Sequence, residues 1–148
     1  MLLVVIWGFS GCNSQILDMT PSSQEKTIEN KDYQSMKLVI NEKTFDVVLE
    51  NNATTKELIK LLPMTITMNE LNGNEKYCYL DTSLPMNPQR VNYISTGNIM
   101  LFGNNCLVVF YKSFSTNYSY TKIGNITNTT DLVNVVGDSY VKVEWNAS

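Results

Sequence analysis

The chain has 148 residues, 43% of them hydrophobic, and a net charge of −3, which is typical of one globular domain. It has no histidine, which excludes serine or cysteine hydrolases that use a histidine base and the common histidine-bearing zinc and iron sites. Arg90 is the only arginine and the lysines are scattered, so no basic surface for nucleic acid is predicted. We also predict no metal site and no cofactor.

The first element is an apolar run over residues 2–9, which is too short for the roughly 20 residues of a membrane-spanning helix. It is typical of the hydrophobic part of an export signal. The sequence FSGC that ends at Cys12 resembles the lipobox of bacterial lipoproteins. This resemblance implies that residues 1–12 are a signal peptide, that Cys12 carries the lipid, and that the protein is exported and anchored to a membrane of the bacterial cell envelope.

Two alternatives for this segment stay open. Phe9 stands where the lipobox prefers leucine, and no lysine or arginine precedes the apolar run. The segment could therefore be an uncleaved hydrophobic N-terminus or a signal peptide without lipidation. Residues 13–35 are rich in polar side chains and too poor in apolar ones to bury, which predicts a flexible polar tether.

The next segment, residues 36–49, predicts a β-hairpin. Apolar residues alternate in MKLVI and again in FDVVL, and NEK between them is a candidate tight turn. The period then changes in ATTKELIKLLP, which predicts one short helix ending at Pro63. Thr54 and Glu57 have the spacing of a capping box at its start.

Strand patterns dominate the rest of the chain, with a strong turn signal at Asn72-Gly73. The proline-bearing segment 81–92 lacks periodicity and predicts a long surface loop, where binding often occurs. Further strands are predicted at residues 64–68, 69–80, 98–102, 106–112, 118–124 and 139–145, with a helical turn at 131–136. This count of strands suits a small closed barrel or a sandwich.

The order of these elements, with TITMNELNGNEKYCYL followed by a proline loop and GNIMLFGNNCLVVFYKSFSTNYSYTKIG, resembles bacterial cyclophilin-like domains. The similarity is most specific over residues 65–80 and 97–124. It implies a mainly β fold over residues 36–146: a small closed antiparallel eight-stranded β-barrel with one or two short capping helices. The family has no defined biochemical role, so it implies no reaction.

True cyclophilins are peptidyl-prolyl isomerases, which need an arginine beside an apolar pocket and no general base. Their Phe-His-Arg run has no arginine at its counterpart here, residues 64–68, and their Gly-Ser-Gln-Phe-Phe segment is matched by Phe110 alone. If the domain were an isomerase, Arg90 and Phe110 would be its catalytic residues. Otherwise we assign none.

Cys106 precedes a run that is apolar on both faces, and no basic residue near it would lower its pKa. We interpret it as a buried structural thiol. Cys78 lies in another predicted strand. A disulfide between the two requires Cα atoms within about 7 Å, which the sequence cannot establish.

Core packing is the default for the many aromatic residues of the predicted strands. A sharper hypothesis is that some line a concave site between the loop 81–92 and the barrel, rimmed by residues 113–120. The candidate ligand-binding residues are Tyr77, Tyr79, Arg90, Phe102, Phe110, Tyr111 and Phe114.

We predict an envelope lipoprotein whose domain binds a peptide or small molecule. The enzymatic alternative is a divergent prolyl isomerase. The structural alternative is an adhesive or immunoglobulin-like sandwich, which the helix between the second and third strands disfavours.

Overall fold

The computed structural model describes residues 34–148, so the predicted signal peptide, the predicted lipidation site Cys12 and the predicted tether up to residue 33 lie outside the described residues. Within the described part, neither helix is long and apolar enough to cross a membrane. The elements are β1 (Ser35–Ile40), β2 (Lys43–Leu49), α1 (Ala53–Ile59), β3 (Met64–Leu71), β4 (Glu75–Tyr79), β5 (Gln89–Arg90), β6 (Tyr93–Ile94), β7 (Asn98–Phe102), β8 (Cys106–Phe110), β9 (Phe114–Ser115), β10 (Ser119–Ile126), α2 (Leu132–Val136) and β11 (Val141–Ala147).

Eight antiparallel strands form a closed barrel in the order β2-β1-β11-β3-β4-β8-β7-β10. Pairing of β10 with β2 closes it. At this seam a Cβ on Gly124 would lie 2.4 Å from the carbonyl oxygen of Val48, so the closing pair requires glycine. The barrel confirms the predicted fold class and excludes the sandwich. Strand β5 extends the sheet beside β10, while β6 and β9 pair separately.

Local signals explain the first half of the barrel. Asn41 and Glu42 both have positive φ, the geometry of a two-residue hairpin turn, and they join β1 to β2 as predicted. The predicted capping box at Thr54 and Glu57 is wrong. Asn52 caps α1: its side chain accepts the backbone N–H of Thr55 at 2.9 Å, and the Thr55 hydroxyl accepts the Asn52 N–H at 3.4 Å.

Strand β8 is buried at all of its positions because it separates two apolar clusters. Leu107 and Val109 face the barrel interior, where they join the main core. Cys106, Val108 and Phe110 face outward into a smaller second cluster. The prediction of a wall covered on both sides, with Cys106 buried in it, is confirmed.

The barrel interior also contains a charged side chain. Lys76 is only 1% exposed, and its Nζ donates to Glu70 Oε2 at 2.5 Å and to the carbonyls of Gly137 at 2.9 Å and Ser139 at 2.6 Å. The Tyr111 hydroxyl donates to Glu70 Oε1 at 2.8 Å. All three ammonium protons therefore have acceptors, and the network joins β3, β4 and the segment before β11.

Candidate functional site

A hollow of about 340 Å³ lies on the outer wall of the barrel, over β4, β7, β8 and β10. We call it the aromatic groove because rings form most of its lining. Its aromatic residues are Tyr77, Tyr79, Phe102, Phe114, Tyr118 and Tyr120. Its other lining residues are Glu75, Cys106 and Val108, with Leu71 and Asn72 at the β3–β4 turn.

The aromatic groove follows from the alternation of side chains along paired strands. Strand β4 presents Tyr77 and Tyr79 outward, opposite Val108 and Cys106 of β8. On the other side of β8, Phe102 of β7 lies opposite Cys106. Neighbouring strands are about 4.8 Å apart, so the smaller side chains of β8 lie between ridges formed by rings and leave a channel.

The segment that follows β8 forms the remaining wall. The pairing of β9 with β6 holds this segment against the barrel. There the Phe114 ring centroid lies 5.7 Å from that of Phe110, and the Tyr118 ring packs edge-on against Phe102 at 5.9 Å. The groove is therefore bounded by side chains from strands distant in sequence.

Burial sets the protonation states in the aromatic groove. It raises the pKa of Glu75, and the nearby Glu70 charge adds to that rise. Burial raises the pKa of Cys106 to about 11 and, with the Glu75 charge, that of Tyr120 to about 12. The Cys106 thiol and the Tyr120 phenol therefore stay neutral near pH 7 and are not activated as nucleophiles.

The candidate residues divide between this site and other positions. Four of them line the aromatic groove: Tyr77, Tyr79, Phe102 and Phe114. Phe110 lies beneath it, fully buried, with its ring centroid 5.5 Å from that of Tyr120. Tyr111 is on the opposite face of the wall, in the interior core, where it bonds to Glu70. Tyr111 therefore does not line the aromatic groove, because successive residues of a strand face opposite sides.

Arg90 does not line the aromatic groove. It is exposed on the short strand β5, and its Nη2 donates to Asn117 Oδ1 at 3.2 Å. Isomerase chemistry requires an arginine donor beside the apolar pocket. The guanidinium is bonded to Asn117 and is not part of the groove lining, so the geometry gives the isomerase alternative no support.

The loop 81–92 differs from its predicted role as a wall of the site. Leu84 packs in the interior core, and the Pro85 carbonyl accepts the Thr54 hydroxyl of α1 at 2.6 Å. The backbone N–H of Asn87 donates to Thr121 Oγ1 at 2.9 Å. These contacts hold the loop against α1 and β10. The aromatic groove is bounded instead by residues 114–120, which lie within the predicted rim.

Sequence reasoning missed Glu75 as a site residue. The available signal was the alternation that already placed Tyr77 and Tyr79 on one face of β4, because one further step back along the strand reaches Glu75. The two cysteines of the domain are free thiols. Cys78 pairs in register with Leu107 rather than with Cys106, and it packs against the interior core.

The residues described by the structure do not bring three histidine, cysteine, aspartate or glutamate side chains together as a metal site. The aromatic groove offers one carboxylate, a neutral thiol and rings. Such a lining suits an organic ligand better than a metal ion, which needs several convergent donors.

A closed barrel of eight antiparallel strands with two short helices is the fold of a cyclophilin-like domain. The chain belongs to the cyclophilin-like family, whose model matches residues 38–146. A hypothetical protein from Archaeoglobus fulgidus, known from its solution structure, has a similar fold with a TM-score of 0.55 and 14% identity. The similarity covers 78% of this chain and 95% of that one. No curated protein matches the sequence.

Proposed function

We propose that the protein is a lipid-anchored lipoprotein of the bacterial cell envelope whose domain binds a small molecule or a peptide segment in the aromatic groove. The observation that carries the proposal is the convergence of six aromatic side chains from four parts of the chain around one hollow of about 340 Å³. Ligand sites have volumes from about 300 Å³ upward and are lined mainly by apolar and aromatic groups. We assign the site no catalytic residue.

The exposure of these rings supports binding rather than packing alone. Tyr79 is 63% exposed, Tyr118 65% and Phe102 42%, although they lie beside one another over a buried cluster. Apolar surface left in water costs about 25 cal/mol per Å². Contiguous exposed apolar surface of this kind marks interaction sites. A ligand that covers these rings would recover that free energy.

Binding can be tested with Nile red, an uncharged fluorophore that brightens in apolar sites. The protein would be the full chain carrying Cys12→Ala, which prevents acylation. We expect the double variant Tyr79→Ala/Tyr118→Ala to bind about tenfold more weakly, since aromatic anchors dominate such sites.

The matched control is Tyr140→Ala, because Tyr140 is 72% exposed and lies outside the aromatic groove. It should bind Nile red as the parent does. Absence of binding to the parent, or an equal loss in the control, would contradict the proposed function.

The anchoring part of the proposal rests on the lipobox resemblance at Cys12 and on the polar segment after it. The first strand begins at Ser35. As the predicted flexible tether, the intervening segment would have a root-mean-square span of about 25 Å, enough to hold the domain near the membrane surface. Membrane fractionation would test this: Cys12→Ala should move the protein to the soluble fraction, whereas Cys78→Ser, which keeps Cys12, should not. Unchanged partitioning of Cys12→Ala would refute the anchor.

A further inference from the structure

A carboxylate without a counter-charge lies in the aromatic groove. Glu75 is 8% exposed and lines the hollow. Within residues 34–148 it takes part in no ion pair, and its carboxylate accepts no hydrogen bond. A buried carboxylate normally has such partners because its desolvation is costly. The carboxylate opens into the hollow, where a ligand would supply the partner that the protein does not.

The nearby cations are committed elsewhere. Lys76 follows Glu75 on β4 but faces the barrel interior, where Glu70 and two carbonyls hold its ammonium group. Arg90 is bonded to Asn117 and does not line the aromatic groove. Lys112 lies over the Tyr111 ring, with its Nζ 5.8 Å from the ring centroid. Glu75 is therefore the only formal charge among the lining residues of the groove.

Aromatic faces add to the attraction that this carboxylate exerts on a cation. A ring attracts a cation placed over its face, and the effect is greater where water is excluded. Tyr77 and Tyr79 stand perpendicular to each other, with centroids 6.0 Å apart, on the β4 side of the groove. Phe102 lies on the other side of β8, opposite Cys106, and lines the same hollow. Rings on two sides and one carboxylate together form a site for an organic cation.

We propose that the aromatic groove binds a small organic ammonium compound, with Glu75 as its counter-charge and the surrounding rings as its cage. This proposal rests on the proposed binding function and names the ligand class. A metal ion does not fit, because one carboxylate without further oxygen or nitrogen donors cannot complete its coordination. The volume of about 340 Å³ suits a small molecule.

The strands beneath the groove favour a small molecule over a peptide. Strand β8 is paired on both sides, with β4 and β7, and both of these are paired on their far sides as well. The floor of the groove therefore has no free edge to which a peptide could add as a strand. A peptide would have to bind through its side chains alone.

The test compares choline with 3,3-dimethyl-1-butanol, its uncharged isostere, by calorimetric titration of the full chain carrying Cys12→Ala. We expect choline to bind about tenfold more tightly than the isostere. Glu75→Gln should reduce this preference to the part that the rings alone supply. Glu144→Gln, which changes an exposed carboxylate outside the groove, should retain it.

A second variant guards against misfolding of Glu75→Gln. Tyr79→Leu removes an exposed ring and should weaken choline binding, whereas Tyr140→Leu should not. Equal affinity for choline and its isostere, or a preference that is undiminished in Glu75→Gln, would overturn the cation site. If Nile red still binds in that case, the proposed function stands and only this inference fails. Tighter binding of an acetylated, amidated lysine tripeptide than of choline would mean that the ligand is a peptide, and would overturn the proposal of a small molecule.

Discussion

The β3–β4 hairpin carries two carboxylates on opposite faces, and their pKa values shift in opposite directions. Glu70 of β3 lies directly across from Lys76 of β4, and both belong to the inward-facing network. Burial disfavours the charge of Glu70, but hydrogen bonds from Lys76 and Tyr111 outweigh it, so the pKa of Glu70 is lowered. Glu75 precedes Lys76 and faces outward into the aromatic groove, and its pKa is raised by burial.

The difference separates the side of the wall that stabilises the fold from the side that we propose as a binding surface. Inside the barrel every charged group has protein partners, so the charge is compatible with a stable core. On the outer face the aromatic groove keeps exposed rings and an unpaired carboxylate, both of which cost stability in the absence of a ligand. Features that oppose folding and recur in one place are typical of functional sites.

The largest expected effect tests whether the outer cluster is a true second core. Phe110 is fully buried against Phe114 and Tyr120, so Phe110→Ala should lower the free energy of unfolding by about 3–5 kcal/mol. Phe102→Ala removes a ring that is 42% exposed and should cost about 1 kcal/mol or less. Urea unfolding followed by circular dichroism measures both. Similar losses for the two variants would show that the outer cluster does not behave as a core.

The next effect tests the interior network. Lys76→Met removes the ammonium group that donates to Glu70 and to two carbonyls. We expect the free energy of unfolding to fall by about 2–4 kcal/mol. This is less than for a fully buried ion pair, because the Glu70 side chain is 22% exposed. Lys37→Met is the matched control. Lys37 pairs with Asp46 at 3.8 Å on the surface, and its removal should cost about 0–1 kcal/mol. Equal urea midpoints for the two variants would contradict a structural role for the buried pair.

Much of the fold follows from local patterns in the sequence. The alternation in residues 36–49, the positive-φ turn at Asn41 and Glu42, and the change to helical period before Pro63 all agree with the structure. Closure of the barrel is less visible, because it depends on the pairing of β10 with β2, two strands that lie far apart in the chain. The resemblance to cyclophilin-like domains implied a closed barrel, whereas the strand pattern alone also allowed a sandwich.

The site was harder to predict than the fold, since it depends on which face of each strand is the inside. Strand β8 is apolar at every position, so its sequence does not show whether Phe110 or Tyr111 faces the barrel interior. Only the register with β4 and β7 separates them. The loop 81–92 was misplaced for a similar reason. Its position depends on contacts with residues distant in sequence, such as the packing of Leu84 in the core and the hydrogen bonds to Thr54 and Thr121, which leave no periodic signal.

The smallest expected effect is a change in the pH dependence of stability, which tests the difference between Glu70 and Glu75. A carboxyl whose pKa is raised on folding stabilises the fold only while it is protonated, so the contribution of Glu75 is lost as the pH rises through its folded pKa, which lies above 4.5. Glu75→Gln removes this dependence. The variant should therefore gain stability relative to wild type between acidic and neutral pH, by about 1 kcal/mol, the cost of one unpaired buried polar group.

The other titratable groups near Glu75 contribute little to this difference in stability between the variant and wild type. Glu70 on β3 titrates in the opposite sense, with a lowered pKa, but it is present in both proteins, and its contribution largely cancels. Cys106 on β8 and Tyr120 on β10 have pKa values of about 11 and 12, so they stay neutral over this range. Urea unfolding at a series of pH values measures the difference. A variant less stable than wild type at neutral pH would mean that the Glu75 charge has a stabilising partner, and the distinction between the two carboxylates would then fail.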